Sequence, residues 1–340
     1  MKLKISFLFI ILSQFFISQQ GKIINNQSTA FEISDKNDSI EFIVYDTQLE
    51  QKKPVFLWCQ GSLPYPIYVN SKEEGLWIIG GGITNFDVKN IVKNYHLVII
   101  SMPKTPLIAD EKDINESYWY YGNSKNKNKN QPTLEFQKAD YLENYVNRAQ
   151  KVLKFLNKQK WVDRSKLIVA GSSQGSKVAT KIAIANKNVS KLGLFSANPF
   201  GRIDQNIREY RKEAEQKEIS WEEADKRIEE EYQIFRDAYN PKKLAEKPEL
   251  LAWRSFSVPL LDDWLQFKKP IYLAYGTHDI ASDLNDLVPL YFIRENNNNL
   301  TLKRYLNLEH NFFEVENGKV NHEKPHWEEV MNDFVEWTLK

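Results

Sequence analysis

Short apolar runs alternate along this chain with longer amphipathic stretches. Most of the runs are apolar throughout, which is typical of parallel strands covered on both faces of a sheet. We therefore expect an opening hairpin, then a succession of strand and helix units, and a closing helix. The predicted strands are 29–33, 40–45, 55–59, 96–101, 167–170, 271–275 and 300–305, and the predicted helices are 88–95, 136–157, 284–293 and 327–339.

Residues 201–266 break this rhythm, because they contain strongly charged helical sequence where one crossover helix is expected. A capping box at Ser220 and Glu223 starts a helix that Asn240-Pro241 ends. Its apolar positions recur every three or four residues and predict a face that packs onto the core, with contact to a ligand as the alternative. These positions are Trp221, Ala224, Ile228, Tyr232, Phe235 and Tyr239.

The amino terminus has the form of a signal peptide. Lys2 and Lys4 precede an apolar run over residues 5–17, which is shorter than the roughly 18–20 apolar residues that span a bilayer. Residues 1–20 are therefore predicted to direct export to the periplasm or the medium, and an uncleaved anchor is the alternative. After cleavage no stable membrane span is expected.

Composition narrows the class of protein. Hydrophobic residues make up 42% of the 340 residues and charged residues 27%, as in ordinary globular chains. The net charge of +1 gives no reason to expect a nucleic-acid partner. Cys59 is the single cysteine, lies in an apolar run and is predicted to be a buried thiol. The common metal, phosphate and dinucleotide motifs are absent, so no metal or cofactor is expected. Oligomeric state is left open.

One motif carries a specific chemistry. A predicted strand ends in Gly171-Ser-Ser-Gln-Gly175 and passes directly into a helix. A serine at such a sharp turn is strained, and glycines two residues before and after it allow the neighbouring chains to approach. Ser173 is therefore the candidate nucleophile. Ser172 and Ser176 lack this glycine spacing and are expected to make turn or helix-start hydrogen bonds.

A serine nucleophile needs a general base and a group that orients the base. His310 follows the predicted strand 300–305 and is the candidate base, with His278 as the alternative. Asp279 follows the predicted strand 271–275 and is the candidate orienting acid. Asp283 and Asp286 are the alternatives, and both are also suited to a helix start.

The order serine, acid, histidine resembles the α/β-hydrolase family over residues 28–340. The resemblance is carried by Gly171-Ser-Ser-Gln-Gly175, Gly276-Thr-His-Asp279 and Glu309-His-Asn-Phe-Phe313. It implies an α/β-hydrolase fold with a mostly parallel central sheet flanked by helices. It also implies a core of residues 21–200 and 267–340, and a helical cap at 201–266.

By the same resemblance, Ser173 is the nucleophile, Asp279 the acid and His310 the base. The family often has His-Gly after its third strand, whereas this sequence has Cys59-Gln-Gly-Ser62. Because the donor to the oxyanion is a backbone N–H, the amides of Ser62 and Gln174 are the candidates.

The sequence therefore predicts an exported serine hydrolase that cleaves carboxylic esters through an acyl-enzyme. A peptidase of the same fold is the second hypothesis, because the same apparatus attacks amides and only the pocket decides. A catalytically silent binding protein is the third. The expected partner is a small-molecule or peptide acyl substrate.

Overall fold

The computed structural model describes residues 21–35, 38–122 and 129–340, and within these residues a large sheet has helices on both faces. The predicted signal peptide lies outside the described residues. The described strands are β1 (Lys22–Ile24), β2 (Ser28–Asp35), β3 (Asp38–Val44), β4 (Lys53–Cys59), β5 (Tyr68–Ser71), β6 (Gly75–Ile78), β7 (His96–Ile100), β8 (Ile108–Asp110), β9 (Val162–Ser172), β10 (Lys191–Phe195), β11 (Ile271–Gly276), β12 (Leu300–Tyr305), β13 (Phe313–Glu316) and β14 (Lys319–Pro325).

The α-helices precede, connect and follow these strands, and three short 3₁₀ segments accompany them. The 3₁₀ segments are Gly80–Asn85, Glu111–Asp113 and Ile280–Leu287. The described α-helices are α1 (Val88–Asn94), α2 (Leu134–Ala139), α3 (Leu142–Leu156), α4 (Gln174–Ala185), α5 (Arg202–Glu215), α6 (Trp221–Ala238), α7 (Pro241–Glu246), α8 (Leu250–Phe256), α9 (Leu261–Gln266), α10 (Val288–Arg294) and α11 (Trp327–Leu339).

The main sheet has the spatial order β1-β2-β3-β7-β4-β9-β10-β11-β12 among the described strands. Every neighbouring pair from β7 to β12 is parallel, whereas β1, β2 and β3 join the edge through antiparallel pairs. The prediction of a mostly parallel central sheet is therefore confirmed. The carboxyl ends of β9, β10, β11 and β12 lie side by side at one edge, which is where open parallel sheets place their binding sites.

Alternate residues of the central strands belong to opposite layers of the core. In β4, Leu57 packs in a layer with α3 and α4, whereas Phe56 and Trp58 pack in a layer with α1 and α11. This is the period of two expected for a strand buried on both faces. The apolar runs of the sequence are continuous because both layers need apolar side chains.

Several elements differ from the predictions. The predicted helix 136–157 is two helices, α2 and α3, separated at Asp140. The carboxylate of Asp140 accepts hydrogen bonds from the Tyr145 hydroxyl at 2.8 Å and from the Gln174 side chain at 3.3 Å. A tertiary contact therefore interrupts a continuous helical pattern. The predictions did not include β10, the small sheet β6-β5-β8 or the hairpin β13-β14.

The predicted apolar face of α6 is wrong at its aromatic positions. Trp221, Tyr232, Phe235 and Tyr239 are 42–56% exposed, whereas Ala224 is buried as predicted and Ile228 is half-buried. Glu231 and Ala238, which the prediction did not include, are buried as well. Glu231 Oε1 accepts hydrogen bonds from Asn206 Nδ2 at 2.9 Å and from the Tyr210 hydroxyl at 3.1 Å, both on α5. These polar contacts are made by the face of α6 that packs on α5. The exposed Trp221 ring also contacts α5, because the Arg211 guanidinium lies 5.6 Å from its centroid.

Helix α11 packs on the core through Phe334, and a substitution there tests the core packing. Phe334 of α11 is fully buried, and its ring centroid lies 5.2 Å from that of Phe195 and 5.4 Å from that of Tyr272. We expect Phe334→Ala to lower the free energy of unfolding by about 3–5 kcal/mol, because the cavity is lined by rings that cannot collapse fully. Urea unfolding measures this.

Phe235→Ala is the matched control, because the Phe235 side chain is 42% exposed on α6. Its cost is expected to stay below about 1 kcal/mol. Equal losses for the two variants would contradict the packing described here.

Candidate active site

Ser173 lies at a tight turn between β9 and α4. Its backbone has φ 53° and ψ −122°, and its N–H donates to the carbonyl of Phe195 at 2.9 Å. A Cβ on Gly171 would lie 2.3 Å from the Gly175 carbonyl oxygen, and a Cβ on Gly175 would lie 2.2 Å from that of Cys59. Only glycine fits at both places, so the steric requirement predicted from the glycine spacing is confirmed.

The structure brings the three candidate residues together. His310, in the loop after β12, has its Nε2 3.0 Å from Ser173 Oγ. Its Nδ1 lies 2.9 Å from each carboxylate oxygen of Asp279, in the loop after β11. Each of the three side chains therefore lies after a different strand, and together they form a continuous chain of hydrogen bonds.

Two contacts hold the histidine loop and the acid loop in place. The Ser196 hydroxyl donates to the His310 carbonyl at 2.6 Å. A Cβ on Gly276 would lie 2.2 Å from the carbonyl oxygen of Leu308, so the acid loop and the histidine loop are in direct backbone contact. This contact fixes the spacing between the carboxylate and the imidazole.

Asp279 is oriented by its own loop. Its side chain is buried and accepts hydrogen bonds from the Ala281 N–H at 3.0 Å and from the Ser282 hydroxyl at 2.6 Å. Arg208 of α5 ties the same loop down, because its guanidinium donates to the carbonyls of Ile280 at 2.8 Å and Ala281 at 3.3 Å. The carboxylate is thus aimed at His310.

The electrostatics of His310 favour its protonated form. Burial acts to lower the pKa of the imidazole, but the hydrogen bond and the negative charge of Asp279 outweigh it, and Glu309 and Glu209 add to the effect. The pKa of His310 is therefore raised above its usual value. The His310 side chain is 29% exposed, which leaves it accessible to water.

The alternatives from the sequence lie elsewhere. His278 is exposed, and among the described residues no hydrogen bond joins it to Ser173. Asp283 pairs with Arg208, and Asp286 accepts from the Tyr275 hydroxyl at 2.6 Å. The Ser176 hydroxyl donates to the Ser173 carbonyl at 2.6 Å, as predicted for a helix start.

The two candidate oxyanion donors border the same space as Ser173. Ser62 and Gln174 both line a cavity of about 290 Å³ that Ser173 also lines. The Gln60 side chain does not line it, because its Nε2 donates to the carbonyl of Ile100 at 2.7 Å. Cys59 is a buried free thiol, as predicted, and burial raises its pKa.

Residues of α5 and α8 also line the cavity. They are Arg202, Gln205, Asn206, Trp253 and Phe256. Lys177 of α4 completes the wall, one helical turn after Ser173. The sequence predictions missed Lys177, Arg202 and Arg208, because only contacts between distant segments assign them to the site. For these three residues, the sequence contains one local indication of a contact, which is the i, i+4 spacing of Asp204 and Arg208.

Within the described part of the chain, no group of three or more histidine, cysteine, aspartate or glutamate side chains is arranged to hold a metal ion. None of the described helices combines the length and the apolar character that a membrane crossing requires.

No family model and no curated relative matches this sequence. Among solved structures, that of a putative dipeptidyl aminopeptidase IV from Bacteroides ovatus has a TM-score of 0.54 and 13% identity, and the match covers 92% of this chain and 36% of that chain. For the acylaminoacyl peptidase from Pyrococcus horikoshii the TM-score is 0.50, the identity 12%, and the coverage 92% and 41%. This chain thus spans about two fifths of the length of those proteins. The strand order, the turn at Ser173 and these similarities together show that the chain has the α/β-hydrolase fold.

Proposed function

We propose that this protein is a serine hydrolase that cleaves carboxylic esters, with Ser173 as nucleophile, His310 as general base and Asp279 as the orienting acid. The observation that carries the proposal is the continuous chain of 3.0 Å and 2.9 Å contacts from Ser173 Oγ through the imidazole to the carboxylate. Ser173 also lines a cavity, so its hydroxyl is accessible to the carbonyl group of a bound ester.

The acylation step follows from the geometry. His310 Nε2 takes the proton of Ser173 Oγ as the oxygen attacks the ester carbonyl, and Asp279 stabilises the imidazolium that forms. The backbone N–H groups of Gln174 and Ser62 stabilise the tetrahedral oxyanion. His310 then gives the proton to the leaving alcohol, and an acyl-Ser173 intermediate remains.

Deacylation repeats these steps with water. The exposed fraction of His310 lets a water molecule reach Nε2, where it loses a proton and attacks the acyl group. The proton returns to Ser173 as the acid product leaves.

We assign residues 201–266 as a cap over this site. The supporting observation is that Arg202 and Asn206 of α5 and Trp253 of α8 line the cavity that contains Ser173. A cap in this position shapes the pocket and excludes water, while the reacting groups stay on the sheet edge.

We also propose that residues 1–20 direct export, because a cationic start precedes a short apolar run. The amino-terminal residue of the mature protein, determined by mass spectrometry, tests this assignment.

The second candidate is a peptidase, the activity named for both solved structures described above. At 12–13% identity those similarities establish a shared fold alone. Matched 4-nitrophenyl esters and 4-nitroanilides of the same acyl group separate the two candidates. We expect measurable kcat/KM for the esters and no detectable turnover of the anilides. Because a 4-nitrophenyl ester is intrinsically more reactive than the anilide and a serine peptidase cleaves both, turnover of an anilide that is lost in Ser173→Ala would favour the peptidase.

The first test of the function is covalent labelling. A fluorophosphonate probe is expected to label Ser173 alone, because only this hydroxyl has the 3.0 Å contact with an imidazole among the described residues. Ser173→Ala is expected to abolish labelling and to retain the wild-type melting temperature within a few degrees. Peptide mapping by mass spectrometry identifies the labelled residue, and labelling that survives the substitution would refute the nucleophile.

The second test is the pH dependence of kcat/KM on a neutral ester. The base must be neutral, and the pKa of His310 is raised, so activity is expected to fall about tenfold per pH unit below a midpoint above about 6.5. Asp279→Asn removes the group that raises the pKa and leaves the burial that lowers it. We expect this variant to lose about 10³- to 10⁴-fold in activity and to shift its acid limb to lower pH.

His278→Ala is the control, because His278 is exposed and lies next to Asp279 in the chain. Its acid limb should match that of the unmodified protein. A wild-type midpoint at or below 6.5 would contradict the role of Asp279.

A further inference from the structure

Two basic side chains line the cavity beside Ser173. Lys177 lies four residues after Ser173 on α4 and is only 5% exposed. Arg202 begins α5 and lines the same cavity. Positive charge therefore faces the space that a substrate of Ser173 would occupy.

Neither side chain forms an ion pair with a carboxylate among the described residues. The Lys177 ammonium donates to the Phe200 carbonyl at 2.8 Å, and the Arg202 guanidinium donates to the side-chain oxygen of Gln174. Arg202 also lies over the rings of Trp253 and Phe256, at 5.3 Å and 5.5 Å from their centroids. An ammonium has three donors and a guanidinium five, so donors remain for a ligand.

The charges of Asp140 and Asp204 act on Arg202 and Lys177 respectively, but each carboxylate forms its hydrogen bonds with other side chains. Asp204 accepts hydrogen bonds from Arg208 at 3.1 Å and from Asn198 at 3.3 Å. Asp140 accepts from Tyr145 and Gln174, and burial raises its pKa, which disfavours its charged form. The cavity wall thus keeps an excess of positive charge.

Burying unpaired cations costs free energy, which a bound anion would recover. The pKa of Lys177 is lowered to about 7, first by burial and then by the charge of Arg202. An anion between the two groups would reverse both effects through charge-assisted hydrogen bonds. The volume of about 290 Å³ is close to the lower end of ordinary ligand pockets, so a small organic acid fits.

Resting on the serine-hydrolase function proposed above, we propose that the Lys177 and Arg202 side chains select esters that carry a carboxylate near the scissile bond. The carboxylate belongs to the acyl group or to the alcohol, and the chemistry that recognises it is the same. The negative charge of Glu209 acts on His310, but Glu209 does not line the cavity. We therefore expect the carboxylate of the substrate to lie beside Lys177 and Arg202.

The experiment compares three 4-nitrophenyl esters of six-carbon acids that differ in the end group. They are the adipate half-ester, which is anionic, the hexanoate, which is neutral, and the 6-aminohexanoate, which is cationic. We expect kcat/KM to be highest for the adipate half-ester, by about tenfold or more over the hexanoate, and lowest for the 6-aminohexanoate. A parallel arm uses hexanoates of 4-hydroxybenzoate and of 4-cresol, which places the carboxylate on the alcohol side.

Charge-removing variants assign the preference to residues. Arg202→Gln keeps a donor for Gln174, and Lys177→Gln keeps one for Phe200. Each is expected to reduce the ratio of the kcat/KM values for adipate and hexanoate about tenfold, whereas Arg202→Lys retains most of it. The matched control is Lys181→Gln, because Lys181 lies one turn further along α4 and pairs with Asp263. Its ratio should stay within about twofold of that of the unmodified protein.

The outcomes separate this inference from the function on which it rests. Turnover of the hexanoates that depends on Ser173, with no preference for a carboxylate in either arm, overturns the inference and leaves the hydrolase standing. If no ester is turned over, the proposed function fails, and calorimetric binding of adipate and hexanamide decides the inference. Tighter binding of adipate that is lost in Arg202→Gln supports the anion site, and equal binding overturns it. The esters are compared on the unmodified protein, so this test remains decisive even if a variant fails to fold.

Discussion

The crowding of backbone around Ser173 is the constraint on which the rest of the site depends. With φ at 53°, Ser173 occupies the left-handed region, a conformation that costs a side-chain-bearing residue about 1–3 kcal/mol. Gly171 and Gly175 have no Cβ and so allow the contacts that hold this turn, including the approach of the Cys59 carbonyl. This turn holds the Ser173 hydroxyl at the carboxyl edge of the sheet, so His310 and Asp279 must also lie at that edge.

The partners reach it because of the order of the strands. β10, β11 and β12 follow β9 in the sheet, and each is parallel to the strand before it. The loops that follow these strands therefore all leave the sheet at the edge where Ser173 lies. The approach of Gly276 to Leu308 locks the loops that hold Asp279 and His310 against each other. The alignment of the three side chains therefore depends on backbone packing more than on the flexible contacts of the side chains themselves.

The parts that the sequence predicts well are those that local rules control. The strands β4, β7 and β11 are buried on both faces and read as continuous apolar runs, and the turn at Ser173 follows from two glycines at fixed spacing. The small sheet of β5, β6 and β8 escapes prediction because its strands have three or four residues, too few for a period to show. The buried face of α6 differs from the predicted one because a carboxylate, Glu231, packs inward against α5 while the aromatic side chains stay exposed. Hydrophobic periodicity cannot foresee an inward carboxylate whose partners lie on another helix.

Two of the three arginines of α5, Arg202 and Arg208, show how one helix serves two purposes. Arg208 is paired with Asp204 and Asp283 and also binds carbonyls of the acid loop, so its charge is compensated and its contacts are structural. Arg202, six residues earlier, contacts two rings and one amide and forms no ion pair among the described residues, although the charge of Asp140 acts on it. Because an unpaired buried cation costs stability, a guanidinium selected for stability alone would be expected to have the kind of partner that Arg208 has. The position of Arg202 is better explained by a partner that arrives with the substrate. On this view α5 couples the orientation of Asp279 to the recognition of a carboxylate, since one rigid helix contains both guanidinium groups.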